Sequence, residues 1–223
     1  MNRVGQAARI RGAGILMMTW GFCAWGALVF VRAERCDSPD DKAPGSAGSV
    51  RPQAVGVNMH PERFPSLQAE KQFALCRRLG VTQVRLSLEW AGVEPERGTW
   101  DFTVMDRLVD MAERNRLRIL QVLGYNVLWN TPIPGNSKTR PVDLEAFEAF
   151  VSRLAERYKG RVHWWEVWNE PNVDTFLTGD YRDHPGQRWE EYLQIIERAR
   201  RALKRADPSN VIVLGGLAHT SED

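Results

Sequence analysis

The sequence predicts an α/β fold built on a parallel sheet. From Ala54 onward, short runs rich in β-branched and aromatic residues alternate with longer segments in which apolar residues recur at helical spacing. This alternation is typical of repeated strand–helix units. Polar and aromatic side chains also follow several of the predicted strands. Since parallel strands end at one edge of a sheet, we expect a site at that edge.

The first two strand–helix units are read from apolar periodicity. The first strand covers 54–60, and a helix follows over about 67–79. The apolar face of that helix includes Cys76, which we interpret as a small buried hydrophobe. The second strand covers 83–90, and Asp101 is predicted to cap the next helix.

The remaining units follow the same pattern. They are a strand over 118–125, a helix that Asp143 opens, a strand over 162–170, a helix over about 189–205 and a strand over 211–217. The fourth strand should end at Glu170, because Pro171 cannot donate to a sheet ladder. No dinucleotide or phosphate fingerprint follows the first strand, which argues against a Rossmann domain.

The N-terminal part differs in character from the rest. Residues 1–12 are basic, and 13–31 are uncharged and mostly apolar. This pattern predicts a hydrophobic helix that serves as a transmembrane anchor or a signal peptide, with a buried soluble helix as the alternative. Residues 32–53 read as a flexible linker. The folded domain, 54–223, should therefore be exported, either anchored and facing the exterior or periplasm, or secreted.

Composition excludes several kinds of partner. The net charge of +2 divides into +4 for residues 1–36 and −2 for the remainder, which leaves no basic patch for nucleic acid. The four histidines are scattered without ligand spacing, so we expect no metal and no cofactor. Three cysteines give no disulfide framework. Nothing in the sequence indicates an oligomeric state.

The most informative stretch is V-H-W-W-E-V-W-N-E-P-N, residues 162–172. It places Glu170 at the carboxyl end of a strand, where we expect Trp165 and Trp168 to wall its carboxylate. Desolvation by such walls would raise the carboxyl pKa, as a general acid near neutral pH requires. Alternatively, Glu170 caps the following loop and the tryptophans are core.

The W-x-x-W-N-E-P-N pattern resembles the fourth-strand motif of the clan A glycoside hydrolases. These are retaining (β/α)8 enzymes that include cellulase-like, β-galactosidase-like and β-xylosidase- or iduronidase-like families. The resemblance covers about 54–219 and implies a TIM-type barrel, incomplete as given, with about five strands and four helices. It makes Glu170 the acid/base and Asn169 the residue that holds the sugar's 2-hydroxyl.

Two upstream motifs extend the resemblance. G-V-N-x-H resembles the first strand of the clan and implies that His60 lines the sugar pocket, although a turn partner is the alternative. V-R-L-S implies that Arg85 holds the catalytic carboxylates, whereas a structural ion pair with Glu166 is the alternative. In the loop 89–102, we interpret Glu94-Pro95 and Gly98 as loop architecture.

The third strand brings Tyr125, Asn126 and Trp129 to the same rim. We expect these residues, together with Trp168, to contact the sugar. Trp129 could serve as a sugar platform, or it could simply pack the loop against the domain.

The resemblance implies hydrolysis of O-glycosidic bonds in an oligo- or polysaccharide or glycoside by double displacement. It places the nucleophile at the end of a seventh strand, and no residue of this sequence matches that motif. One alternative is therefore a non-catalytic, carbohydrate-binding barrel fragment. Another is a different barrel enzyme that uses Glu170 as a simple base. The sequence does not specify the sugar or the linkage.

Overall fold

The computed structural model describes residues 28–30, 55–181 and 184–219. One sheet holds six strands in chain order: β1 Leu28–Phe30, β2 Val55–Met59, β3 Gln83–Leu86, β4 Arg118–Leu123, β5 Trp164–Val167 and β6 Val211–Leu214. These described ranges contain four α-helices, which are α1 Ser66–Arg78, α2 Thr103–Arg114, α3 Leu144–Arg157 and α4 Pro185–Ala206. Strands β2 to β6 are parallel, as the alternation of elements predicted.

At Leu28–Phe30 the structure has a strand, β1, where a hydrophobic helix over 13–31 was predicted. Residues Leu28–Phe30 are extended and pair antiparallel with β2, with Leu28 opposite Val57. A Leu-Val-Phe triplet suits a strand that pairs with an open sheet edge. The rest of the predicted anchor, the basic segment and the linker lie outside the described residues. Within the described ranges, no helix is long and apolar enough to span a bilayer.

The parallel strands are shorter than predicted at their carboxyl ends. In the ladder, Met59 lies opposite Leu86, Leu123 opposite Val167, and Val167 opposite Leu214. Beyond this level the backbone turns into loops, so the predicted fourth strand ends at Val167 and not at Glu170. Apart from Arg85 on β3, the residues expected to carry chemistry therefore lie on loops just above the sheet.

The helices cover one face of the sheet and bury an aromatic core. Trp90 stacks on Phe150, with ring centroids 5.1 Å apart, and Phe147 meets Trp90 edge-on. Asp143 caps α3, because its Oδ1 accepts hydrogen bonds from the N–H groups of Glu145 and Ala146. Asp101 accepts from the Thr103 N–H, although Phe102 is the residue that directly precedes α2.

Tyr192 connects α4 to the ends of the last two strands. Its hydroxyl donates to the Val167 carbonyl oxygen at 2.8 Å and accepts from the Gly215 N–H at 2.7 Å. Val167 is the last ladder position of β5 and Gly215 follows that of β6, and both residues are buried. The phenol therefore satisfies two groups that the sheet leaves open.

We expect Tyr192→Phe to lower the free energy of unfolding by about 1–3 kcal/mol, because it leaves a buried N–H and a buried carbonyl without a partner. Urea unfolding followed by circular dichroism measures the change.

Tyr181→Phe is the matched control, since its hydroxyl bonds the half-buried carboxylate of Glu191, which water can reach. The control should lose less stability than Tyr192→Phe. Equal losses would show that the backbone groups at Val167 and Gly215 find other partners.

Candidate active site

A buried ion pair lies beneath the carboxyl ends of the strands. Arg85 on β3 donates from Nε to Glu166 Oε2 at 2.6 Å and from Nη2 to Oε1 at 2.9 Å. Arg85 is 7% exposed and Glu166 is fully buried. The pair foreseen as a structural alternative is therefore present, and it spans the two strands that flank β4.

Arg85 also reaches the candidate site itself. Its Nη2 donates to Asn169 Oδ1 at 2.8 Å, and its Nη1 donates to the side chains of Asn58 and Ser87 at 3.3 Å. On the far side, Glu166 Oε1 accepts from the Gly216 N–H. The guanidinium thus pairs with Glu166, as the structural alternative predicted, and it also orients the amide of Asn169.

The segment after β5 leaves the strand through a strained turn. Trp168 has φ +68° and Glu170 has φ +47°, a region that residues with side chains rarely adopt. The turn is held by the Glu170 N–H, which donates to the Gly216 carbonyl, and by Trp168 Nε1, which donates to the Phe176 carbonyl. Gly215 lies so close that an added Cβ would stand 3.0 Å from the Val167 and Trp168 carbonyl oxygens. The backbone turn, rather than strand pleating, directs Asn169 and Glu170.

Asn169 and Tyr125 form the next layer of the site. Asn169 Nδ2 donates to the Tyr125 hydroxyl at 3.1 Å, while its Oδ1 accepts from Arg85. The Tyr125 ring meets Trp168 edge-on at 5.3 Å and lies nearly parallel to Phe176 at 6.0 Å. Burial raises the pKa of the Tyr125 phenol, so the hydroxyl stays protonated. Asn169 is therefore fixed from both sides of its amide.

Glu170 is half-buried beside this layer. No described residue donates a hydrogen bond to its carboxylate. Burial raises the pKa of the Glu170 carboxyl above its ordinary value, and the positive charge of Arg85 opposes that rise.

The raised pKa of Glu170 agrees with the sequence argument, but the side chains expected to bury its carboxyl are only partly in place. Trp165 does not wall Glu170, because its indole faces the helices and donates to Asn210 at the amino end of β6. Successive strand residues point to opposite faces, which puts Trp165 opposite to Glu166. Trp168 does pack in this region, but it is fully buried.

Three other predicted site residues have local partners. His60 Nδ1 lies 3.1 Å from the Glu62 carboxylate in the turn after β2. The Asn126 amide is buried and donates to the carbonyl groups of Asn130 and Arg140 within its own loop. Trp129 packs edge-on against Trp90 and donates to the Glu94 carbonyl. These are the contacts of residues that hold the loops in place.

The loop after β3 is anchored as expected. Glu94 is buried, and its carboxylate accepts from Trp90 Nε1 and from the Gly98 N–H, both at 2.8 Å. A positive φ of 83° at Gly98 explains the glycine there. Glu94 is therefore loop architecture, with both oxygens engaged.

Sequence analysis did not identify Lys138. Its Nζ lies 2.9 Å from the centre of the Tyr125 ring and 3.3 Å from Glu89 Oε1. It follows β4 in a loop of Pro, Gly and Asn, where no periodicity or motif marks a functional lysine.

The chemistry that this arrangement offers is proton transfer. Within the described ranges, no group of three His, Cys, Asp or Glu side chains could hold a metal ion. A half-buried carboxyl of raised pKa, beside an amide fixed by a guanidinium and a phenol, can donate a proton and later accept one.

The model of glycosyl hydrolase family 10 matches residues 50–214. Endo-1,4-beta-xylanase 2 of Claviceps purpurea is 30% identical over 139 residues, which is 60% of this chain and 40% of that protein. Endo-1,4-beta-xylanase B of Thermotoga neapolitana is 27% identical over 177 residues, 74% of this chain and 49% of that protein.

A solved structure of a glycoside hydrolase is similar in fold to this chain. A family 39 glycoside hydrolase from Bacteroides cellulosilyticus WH2 superposes with a TM-score of 0.56 and 25% identity, over 72% of this chain and 31% of that one. The chain thus spans less than half the length of these three relatives.

We expect Arg85→Met to destabilise the chain by about 3–5 kcal/mol, because it leaves the buried Glu166 carboxylate without its counter-charge. Thermal and urea unfolding measure the loss. Arg200→Met is the control, since Arg200 and Glu197 are about half exposed on α4 and such pairs contribute at most about 1 kcal/mol. Similar losses in the two variants would mean that Glu166 takes up its proton or is hydrated when Arg85 is removed.

The raised pKa of Glu170 predicts a pH-dependent effect on stability. Above the folded-state pKa, the carboxylate is ionised in both states and its partial burial destabilises the fold; below the ordinary carboxyl pKa, it is neutral in both. Glu170→Gln should therefore raise the melting temperature at pH 7. This gain should vanish as the pH falls from the raised folded-state pKa to the ordinary carboxyl pKa. The exposed Glu190→Gln should leave the melting temperature unchanged at every pH. A gain for Glu170→Gln that is constant with pH would contradict the shift.

Proposed function

Because the chain belongs to glycosyl hydrolase family 10, we propose that its site takes part in the hydrolysis of glycosidic bonds in xylan, with Glu170 as the general acid and base. The family match bears out the resemblance to the clan A glycoside hydrolases, and the parallel α/β sheet fits part of a TIM-type barrel. The substrate rests on the names of the relatives, which are endo-1,4-β-xylanases.

The observation that carries the proposal is the placement of Glu170. Its carboxyl has a raised pKa, and it follows Asn169, whose amide is fixed by Arg85 and Tyr125. A general acid needs a pKa near the working pH, and a neighbouring amide can bind a sugar hydroxyl.

The mechanism we propose is double displacement. Glu170 protonates the leaving glycosidic oxygen while a second carboxylate attacks the anomeric carbon. Glu170 then removes a proton from the water that releases the sugar. The second carboxylate must lie about 5–5.5 Å from the first. The resemblance assigns it to the end of a seventh strand, and the described ranges contain five parallel strands.

A second candidate function is carbohydrate binding without turnover. The other carboxylates of the described strand ends are already engaged: Glu166 with Arg85, Glu94 with Trp90, and Glu89 with Lys138. Glu166 and Glu94 are buried and have both carboxylate oxygens engaged, so neither can act as a nucleophile in this arrangement. The same rim can nevertheless hold a sugar.

Turnover and binding distinguish the two candidates. We expect the protein to hydrolyse xylan with retention of anomeric configuration. Proton NMR of the newly released sugars measures that configuration. Glu170→Gln should lower the rate on xylan at least about 100-fold, because the xylan leaving group needs protonation. An aryl xylobioside with an acidic phenol should be affected much less in its first step.

Glu190→Gln, which removes an exposed carboxyl on α4, is the control and should retain full activity. If xylooligosaccharides bind and neither substrate is turned over, the hydrolase assignment is wrong and the binding function stands. Unchanged hydrolysis by Glu170→Gln would remove Glu170 from the mechanism.

A further inference from the structure

We propose that Lys138 and Glu89 form a two-point clamp for vicinal hydroxyl groups of the sugar bound next to Glu170. The inference rests on the proposed function and assigns a specificity site within it. The ammonium would donate to one hydroxyl oxygen, and the Glu89 carboxylate would accept from the neighbouring hydroxyl.

Lys138 stands where the loops after three strands meet. Its side chain lies on the ring of Tyr125, which follows β4, and pairs with Glu89, which follows β3. Its backbone carbonyl accepts from the Thr178 N–H at 2.6 Å, in the loop that follows Glu170. Lys138 is therefore held where these three loops meet before any ligand arrives.

Lys138 and Glu89 can each form further hydrogen bonds beyond the one that joins them. A lysine ammonium has three N–H groups, and among the described residues Nζ has one acceptor, Glu89 Oε1. Glu89 uses only that oxygen, and its second oxygen bonds no described side chain. The side chains of Lys138 and Glu89 are 28% and 43% exposed, so a ligand can reach both.

The charges explain why a neutral polyol fits better than an ion. Burial is the main cause that lowers the pKa of Lys138, and Arg63 adds to it, while Glu89 opposes the change. An anionic group would meet Glu89 only 3.3 Å from the ammonium, and a cation would meet Lys138. Adjacent sugar hydroxyls need one donor and one acceptor, which the pair supplies without a net charge.

The position of the pair ties it to Glu170. Lys138 covers the ring of Tyr125, and the hydroxyl of that ring bonds Asn169, the neighbour of Glu170. A ring face that carries an ammonium 2.9 Å from its centre is not open for stacking. Sugar recognition above Tyr125 must therefore occur through the lysine and its carboxylate partner.

The test is a binding cycle that combines ligand and protein changes. Xylotriose and its monodeoxy derivatives are titrated by calorimetry into Glu170→Gln protein, which prevents turnover. Removal of the clamped hydroxyls should weaken binding about tenfold when Lys138 and Glu89 are intact. In Lys138→Met and in Glu89→Gln, xylotriose itself should bind about tenfold more weakly, and loss of the hydroxyl that each residue binds should then add nothing.

Lys71→Met on the exposed side of α1 is the matched control and should bind every ligand as the intact protein does. If Lys138→Met weakens all the ligands by one common factor, the pair is a structural latch and the clamp is wrong. Unchanged binding by Lys138→Met and Glu89→Gln would also overturn it. If no xylooligosaccharide binds even with the pair intact, the proposed function fails together with the clamp.

Discussion

The ion pair between Arg85 and Glu166 is the interaction on which the rest of the site depends. Two charges buried beneath the strand ends are tolerable only because each neutralises the other and the remaining donors and acceptors have partners. Satisfying the guanidinium and carboxylate draws in Asn58, Asn169 and the Gly216 N–H. The ends of β2, β3, β5 and β6 are thereby brought to one point. The electrostatic demand of the pair gives the site its geometry.

Above the Arg85–Glu166 pair, the site residues are positioned by single side-chain contacts rather than by the hydrogen bonds of the sheet. Arg85 fixes the amide of Asn169, Asn169 fixes the phenol of Tyr125, and Lys138 covers that ring. Each contact joins a different part of the chain, so these side chains hold the rim together with backbone hydrogen bonds such as that from Glu170 to Gly216. Glu170 is held through its backbone, and its carboxylate accepts no hydrogen bond from a described residue, a combination that suits a proton carrier.

Sequence reasoning located the elements well and the site only in part. Apolar periodicity gave the five parallel strands and four helices, and the motif around Glu170 gave the clan of glycoside hydrolases, because both are local signals. The ends of the strands were placed too late, since the level at which a parallel ladder stops depends on its neighbours. Trp165 was assigned to the wrong face because that assignment ignored strand alternation. Lys138 was missed because its role depends on Tyr125 and Glu89, which are distant in sequence.

The close approach of Gly215 to the turn after β5 has a consequence for recombining barrels of this type. A Cβ at this position would press on the carbonyl oxygens of Val167 and Trp168, in the turn that directs Glu170. Gly215, the residue after β6, is therefore part of the packing of the turn that follows β5. A chimaera joined between β5 and β6 would need a glycine at the position of Gly215 in the segment taken from the other protein. Otherwise the graft would rotate Glu170 even though every residue of its motif had been retained.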